Sequence, residues 1–303
     1  MSSVIENLKA KSQGKCEGIK TGLVIQGGGM RASYSMGVLL TLEELGFTNS
    51  FDYVVGSSAG AINGAYFLAG QSHLATEIYR EYLTNNKFLN FFKPTEILNV
   101  DYLIDVFTNG KTSLNVQAII ESKTSLQFSM IHYPKAEEIF FDSKEYPDQI
   151  MNLIKASAAI PAISNKKILI NGDKYIDGAV IDPIPIHRAI ELGCTDIVII
   201  LTRSRQFRRK PSKFVYDNLS WTYFRDWPKE SRDSLFEHFS RVNEIYDFIW
   251  SHENKDSNFR MLVIYPENDN LAGLLSKNKN AIAENIRRGS VDARRLCDID
   301  KFC

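Results

Sequence analysis

Phe51-Asp52-Tyr53-Val54-Val55-Gly56-Ser57-Ser58-Ala59-Gly60 decides how the rest of the chain is read. A short apolar run enters the pattern G-x-S-x-G with Ser58 at its centre. That is the pattern of a nucleophile elbow, where a strand turns sharply into a helix and exposes a serine at the corner. Glycines flank the turn because a side chain beside the serine would block its approach to a carbonyl. Ala59 to Leu68 reads as a helix whose first turn points free N–H groups toward Ser58. Alone, the pentapeptide fits a strand–helix turn of small residues equally well, so its surroundings must decide.

Upstream, Thr21-Gly22-Leu23-Val24-Ile25-Gln26 reads as a strand that runs into Gly27-Gly28-Gly29-Met30-Arg31. Ser33 to Leu45 follows with apolar Met36, Val38, Leu39, Leu42 and Leu45 at helical spacing, and Gly46 stops it. A right-handed crossover places the two strands side by side, with the glycine loop and the serine turn both at the carboxyl end of the sheet. The glycine loop can then offer backbone N–H groups where negative charge develops during acyl transfer. Gly27 to Ala32 also fits the dinucleotide fingerprint G-x-G-x-x-A. That reading needs an acidic residue at the end of the second strand, where Val54-Val55-Gly56-Ser57-Ser58 stands instead. A Walker loop fails for want of Gly-Lys-Ser/Thr.

One strand, one helix and a second strand precede Ser58, whereas the α/β-hydrolase fold places its elbow after several strands. The early position argues for a different sheet built around the same device. His187, His238 and His252 lie downstream and keep a Ser–Asp–His order open on paper. None of the five histidines has an evident catalytic surround, and a satisfied or solvent-facing ring suits each.

Further along, Ile168 to Ile170 and Lys174 to Ile176 read as a hairpin around Asn171-Gly172-Asp173. It runs into Asp177-Gly178-Ala179, a tight corner from which a carboxylate can face a cleft. An ordinary Asx turn fits this tripeptide as well. Asp173 and Asp182 are neighbouring alternatives for such a carboxylate.

Taken in order, the three glycines followed by x-Arg, the elbow, Ala156-Ser157-Ala158-Ala159-Ile160-Pro161-Ala162, Asp177-Gly178-Ala179, Asp182-Pro183-Ile184-Pro185-Ile186 and Leu262-Val263-Ile264-Tyr265-Pro266 resemble the patatin-like acyl hydrolases. The resemblance spans about residues 20 to 300. It implies an α/β fold, a three-layer sandwich with a mostly parallel central sheet flanked by helices. It implies a Ser–Asp dyad, with Ser58 as nucleophile and Asp177 as base, and an oxyanion hole at Gly27, Gly28, Gly29 and Met30. Arg31 is then a candidate for head-group contact or for support of the loop. The implied activity is release of fatty acid from phospholipids or lysophospholipids through an acyl-serine intermediate, with no metal or cofactor. A general carboxylesterase, a neutral lipase and a non-catalytic lipid-binding or storage protein are the alternatives. Ala32 stands where the family usually has glycine. It is costly if the site needs positive φ and harmless if the site opens a helix.

An aspartate serving a serine without histidine needs a raised pKa, since its ordinary value near ~3.9 makes it a weak base. Burial beside an apolar cleft supplies that rise.

The chain has 303 residues, with 36 basic and 36 acidic side chains. This length suits one large α/β domain, and the balanced charge gives no general attraction to nucleic acid. Cys16, Cys194, Cys297 and Cys303 are scattered, in keeping with a reducing, cytoplasmic setting. No secretory signal or membrane span is legible. Residues 1–19 read as a polar, loosely ordered lead-in, and 20–201 as the catalytic core. In 202–259, a basic loop from Arg203 to Lys210, ended by Pro211, precedes an aromatic helical segment holding Trp221, Trp227 and Trp250. That segment reads either as a lid or lipid-facing region in peripheral membrane contact, or as a solvated loop and a helix pair packed on the core. Phe88, Leu89, Phe91 and Phe92 form a smaller apolar cluster that lines a substrate mouth or simply packs. Residues 260–303 supply a closing strand and a charged helix.

Overall fold

The computed structural model describes residues 3–15, 18–94, 96–210, 223–240, 242–253, 255, 258–269 and 271–297. Cys16, Cys303, Pro211 and Trp221 lie outside the described residues. The apolar runs form a central parallel sheet: β1 (Thr21–Ile25), β2 (Tyr53–Ser57), β3 (Ser125–Tyr133), β7 (Asp196–Ile200) and β8 (Arg260–Ile264) stand in the order β3-β2-β1-β7-β8. Antiparallel strands extend it beyond β3: β4 (Glu137–Asp142), β5 (Ile168–Ile170) and β6 (Asp173–Asp177).

The strand sequences explain the layers. Side chains alternate across a sheet, and here both faces of the parallel strands are apolar. Leu23, Ile25, Val54, Val198, Ile200, Leu262 and Ile264 feed one core. Val24, Val55, Ile197, Ile199, Met261 and Val263 feed the other. Sheets buried on both sides need helices on both sides. On the first face pack the helices Ser33–Glu44, Ala59–Leu68, Val100–Thr108, Ile150–Ser157 and Lys279–Leu296. On the second pack Ile186–Glu191 and Val242–His252, the latter through Val242, Tyr246 and Ile249. The fold is thus a three-layer α/β sandwich.

The N-terminal segment differs from the loosely ordered lead-in expected of it. Ser3–Ser12 is a helix with Val4, Ile5 and Leu8 buried in the first core. Its polar face also has partners: Asn7 donates to Asp196 at 2.6 Å, and Lys11 pairs with Asp52. Three apolar residues among lysines and serines give a weak periodic signal, and the contacts that hold the helix are distant in sequence.

Strand β3 positions the site. β4 pairs with residues 127–132 of β3, overlapping both β2, which pairs with 125–129, and β6, which pairs with 130–133. A strand has two edges, so β2 and β6 must share the edge opposite β4. They approach along it from opposite directions: Ser57 lies across from Ser129, and Asp177 across from Met130. The carboxyl ends of β2 and β6 therefore meet at consecutive positions of β3.

Candidate active site

Ser58 sits at the sharp turn between β2 and the helix Ala59–Leu68, with φ 55° and ψ −132°. Such a backbone is strained for any residue with a Cβ. The turn is tight enough to require its glycines: a Cβ on Gly60 would lie 2.3 Å from the Ile25 carbonyl oxygen. Asp177 ends β6 and is buried, 1% exposed. Its Oδ1 accepts the Ala179 N–H at 2.9 Å, and the Ser58 hydroxyl is near enough to favour the charged form of the same carboxylate. Burial pushes the Asp177 carboxyl up to about 7, against the smaller opposing effects of the Ser58 hydroxyl and the Ala179 N–H. Gly178 is obligatory by space, since a Cβ there would lie 2.2 Å from Ser129 Oγ. The stretch Ala156 to Ala162 contributes too, because the Ala159 carbonyl accepts the Asp177 N–H at 3.2 Å.

Ser58 opens onto two cavities. One is a narrow slot of about 50 Å³, lined mainly by apolar groups such as Met30, Ile62, Phe88, Leu89 and Phe107. The other is a wider space of about 450 Å³ that also holds Asp177, Arg31, Arg203 and Arg209. Leu274 borders both. No histidine lines either one. His132 lies 3.4 Å from Asp173, and His187 packs on Phe248. Among the described residues, no group of three or more His, Cys, Asp or Glu side chains is arranged as a metal-ligand set.

A protein-family model, described as patatin-like phospholipase, matches residues 23–190. The match takes in the glycine loop, Ser58 and Asp177. The chain belongs to the patatin-like phospholipase family. A relative in Escherichia coli (strain K12), the uncharacterized protein YjjU, is 26% identical over 287 residues, covering 91% of this chain and 75% of its own. Among solved structures, VipD from Legionella pneumophila aligns with a TM-score of 0.47 and 16% identity, over 92% of this chain and 67% of that one. Family membership supports a lipid acyl hydrolase as the general activity.

The glycine loop of this patatin-like chain has fewer free donors than its sequence suggests. Gly27 N–H donates to the Pro183 carbonyl and Met30 N–H to the Leu274 carbonyl, each at 3.0 Å. Both acceptors are far away in sequence, so no local signal announces them. Gly28 and Gly29 have no such partner among the described residues. Ala32 has φ −68°, a right-handed helical value, so its Cβ causes no strain. Asn63, on the elbow helix, donates to the Ala32 carbonyl at 2.9 Å and thereby ties the elbow to the glycine loop. Arg31 Nε reaches Thr202 Oγ1 at 3.4 Å, and Thr202 Oγ1 in turn lies 3.3 Å from the Gly27 carbonyl.

Glu138 and Asp182 form a buried acidic pair that sequence reasoning missed in part. Ser129 Oγ donates to Glu138 at 2.7 Å, and Asp182 accepts the Ile184 N–H at 2.9 Å. Burial, and then their mutual repulsion, push the Glu138 carboxyl upward; burial does the same to Asp182. Asp173, the other alternative carboxylate, is exposed beside His132.

The basic loop is divided rather than uniformly solvated. Arg205 pairs with Glu253 at 2.7 Å and stacks over Trp250, and Arg208 pairs with Asp247 at 2.9 Å. Arg203 and Arg209 instead line the wider cavity. No helix among the described residues is long and apolar enough to cross a membrane.

Proposed function

We propose that this chain is a serine acyl hydrolase of the phospholipase A or lysophospholipase type, with Ser58 and Asp177 as a catalytic dyad. The observation that carries this reading is the strained, buried serine beside a buried carboxyl whose pKa lies near neutrality, at the junction of an apolar slot and a wider polar cavity. Ser58 Oγ attacks the ester carbonyl while its proton passes to Asp177. The Gly28 and Gly29 N–H groups face the oxyanion, a narrower set than the four donors expected from the resemblance. Asp177 returns the proton to the departing alcohol, leaving an acyl-serine. Water then attacks the acyl group, giving its proton to Asp177, which passes it back to Ser58 as the fatty acid leaves. Arg31, held against Gly28 and bonded to Thr202, steadies the loop.

Fatty acid release from a panel of phospholipids, lysophospholipids and short esters, wild type against Ser58→Ala, tests the reading. Release from the lipids by wild type alone is expected, with a fluorophosphonate probe labelling Ser58. Turnover confined to short esters would make the protein a general esterase. Lipid retention without turnover would make it a binding protein.

Peripheral membrane contact belongs to the same proposal, through Phe91 and Phe92 rather than the basic loop. Phe92 is 90% exposed, next to Phe91 under Lys277 and close to slot-lining Phe88 and Leu89. An exposed aromatic pair flanked by lysines suits an anionic lipid surface. Phe92→Asp is expected to slow hydrolysis of vesicle lipid by roughly tenfold, with turnover of a soluble short-chain ester kept. Equal rates on vesicles would remove the contact.

A further inference from the structure

The narrow slot has a definite length, because one of its walls is the elbow helix. Ala59, Ile62, Asn63 and Tyr66 all line the slot and share one face of that helix, which leads away from Ser58. Tyr66 stands eight residues beyond Ser58, and at ~1.5 Å per residue that places it about 12 Å along the axis. There Phe107, on the helix Val100–Thr108, meets the Tyr66 ring edge-on, with 5.3 Å between centroids. Both rings line the slot and both are buried, so this end closes inside the protein. The Tyr66 hydroxyl donates to the Thr112 carbonyl at 3.1 Å and holds its ring there.

The width follows from the volume. A free volume of about 50 Å³ holds roughly four water-sized groups. In single file at ~2.8 Å apart, four such groups also span about 11 Å. The slot is therefore one group wide along its whole length. Its wall offers a polar guest nothing. Asn63 donates to the Ala32 carbonyl at 2.9 Å and to Ser35 Oγ at 3.0 Å, and its Oδ1 accepts the Tyr79 hydroxyl at 3.1 Å. Beyond Ser58, the polar side chains that line the slot are thus occupied by the protein itself. A hydroxyl or charge on the guest would be buried unpaired, at a cost that a methylene does not meet.

We propose that the slot is a ruler for straight, unsubstituted acyl chains, with Tyr66 and Phe107 as its end. The assignment rests on the hydrolase reading above. Three bonds of extended backbone advance ~3.5 Å, so an extended alkyl chain advances about 1.2 Å per bond. With the ester carbonyl at Ser58, and with the Tyr66 ring leaning back along its helix, the slot takes roughly eight to ten carbons. Phe107 and Tyr66 are then specificity-determining residues, and longer chains lose the fit.

The test uses 4-nitrophenyl esters with straight acyl chains of increasing length, kept below their micelle concentrations. In wild type, kcat/KM is expected to rise about fourfold per methylene, the gain from burying one, and to stop rising at roughly eight to ten carbons. Phe107→Ala opens the end of the slot. It is expected to raise the ratio of kcat/KM for the dodecanoyl ester over the decanoyl ester by about tenfold, the effect of burying two more methylenes. Ile62→Phe fills the slot one helical turn from Ser58, about 6 Å along, and is expected to end the rise near five carbons. It carries the comparison if Phe107→Ala fails to fold. A wild-type rise that continues unbroken to tetradecanoyl overturns the ruler. A break at the wild-type length in either folded variant overturns the assignment of the acyl chain to this slot. A calorimetric arm in the Ser58→Ala background needs no turnover. There straight 1-alkanols are expected to gain about fourfold in affinity per methylene up to the same length and nothing beyond it. If wild type cleaves no ester, the hydrolase reading falls, while the alkanol series still decides the ruler.

Discussion

At pH 8, Asp177→Asn is expected to hydrolyse ester about a thousandfold more slowly than wild type and yet to resist unfolding better. The loss of rate is that of removing the proton acceptor proposed above, an effect of about 10² to 10⁴ in general-base catalysis. The gain in stability follows from the burial of Asp177. Its carboxyl moves from an ordinary 3.8 to about 7 because the folded protein disfavours the charge. Below pH 4 both folded and unfolded chains hold the proton, and the group contributes no pH dependence. Between about 4 and 7 the unfolded chain has lost it while the folded protein keeps it, so stability falls as pH rises. Above 7 the full cost is present, on the order of 4 kcal/mol for a shift of this size. An amide has nothing to ionise. The stability difference between Asp177→Asn and wild type should therefore grow from pH 5 to pH 8 in denaturant titrations, while kcat/KM of wild type rises through pH 7. Equal stability at both pH values would mean that Asp177 ionises without hindrance.

Ser58→Gly and Ser58→Ala should both lose activity by more than about 10⁴-fold, as when a nucleophile is removed, but should differ in stability. Neither has a hydroxyl, so the comparison isolates the backbone. At φ 55° and ψ −132° a Cβ is strained, at a cost of order 1–3 kcal/mol. Glycine releases that strain and loses part of the gain to its greater freedom when unfolded. Ser58→Gly is expected to be more stable than Ser58→Ala by about 1 kcal/mol in urea. An alanine variant of equal or higher stability would mean that the turn is relaxed.

Where the sequence was legible, local chemistry set the structure. β1, β2 and the elbow helix follow from β-branched runs and flanking glycines. β3 and β4 left no comparable trace. Ser125–Tyr133 alternates apolar residues with Gln127, Ser129 and His132, yet nearly all of it is buried. Those polar groups find remote partners, such as Asp142 for Gln127 and Glu138 for Ser129. A strand whose polar face is satisfied within the fold alternates as a half-exposed strand does, although both its faces are buried, and so lacks the continuous apolar run of a buried one. The same cause limits the reading of the site. Ser58 and Asp177 stood out by motif and family likeness. The engagement of Gly27 and Met30, and the turning of Arg203 and Arg209 into the cavity, depend on contacts that no spacing encodes.

The shared edge of β3 has a consequence for how such a protein can vary. Ser58 arrives along β2 and Asp177 along β6, and successive positions of one strand fix the gap between them. The long intervening chain does not set that gap. Segments inserted before β3, or between β4 and β5, can lengthen or reshape the walls of the slot without moving Ser58 relative to Asp177. The shape of the slot can therefore drift in this architecture while Ser58 and Asp177 keep their spacing.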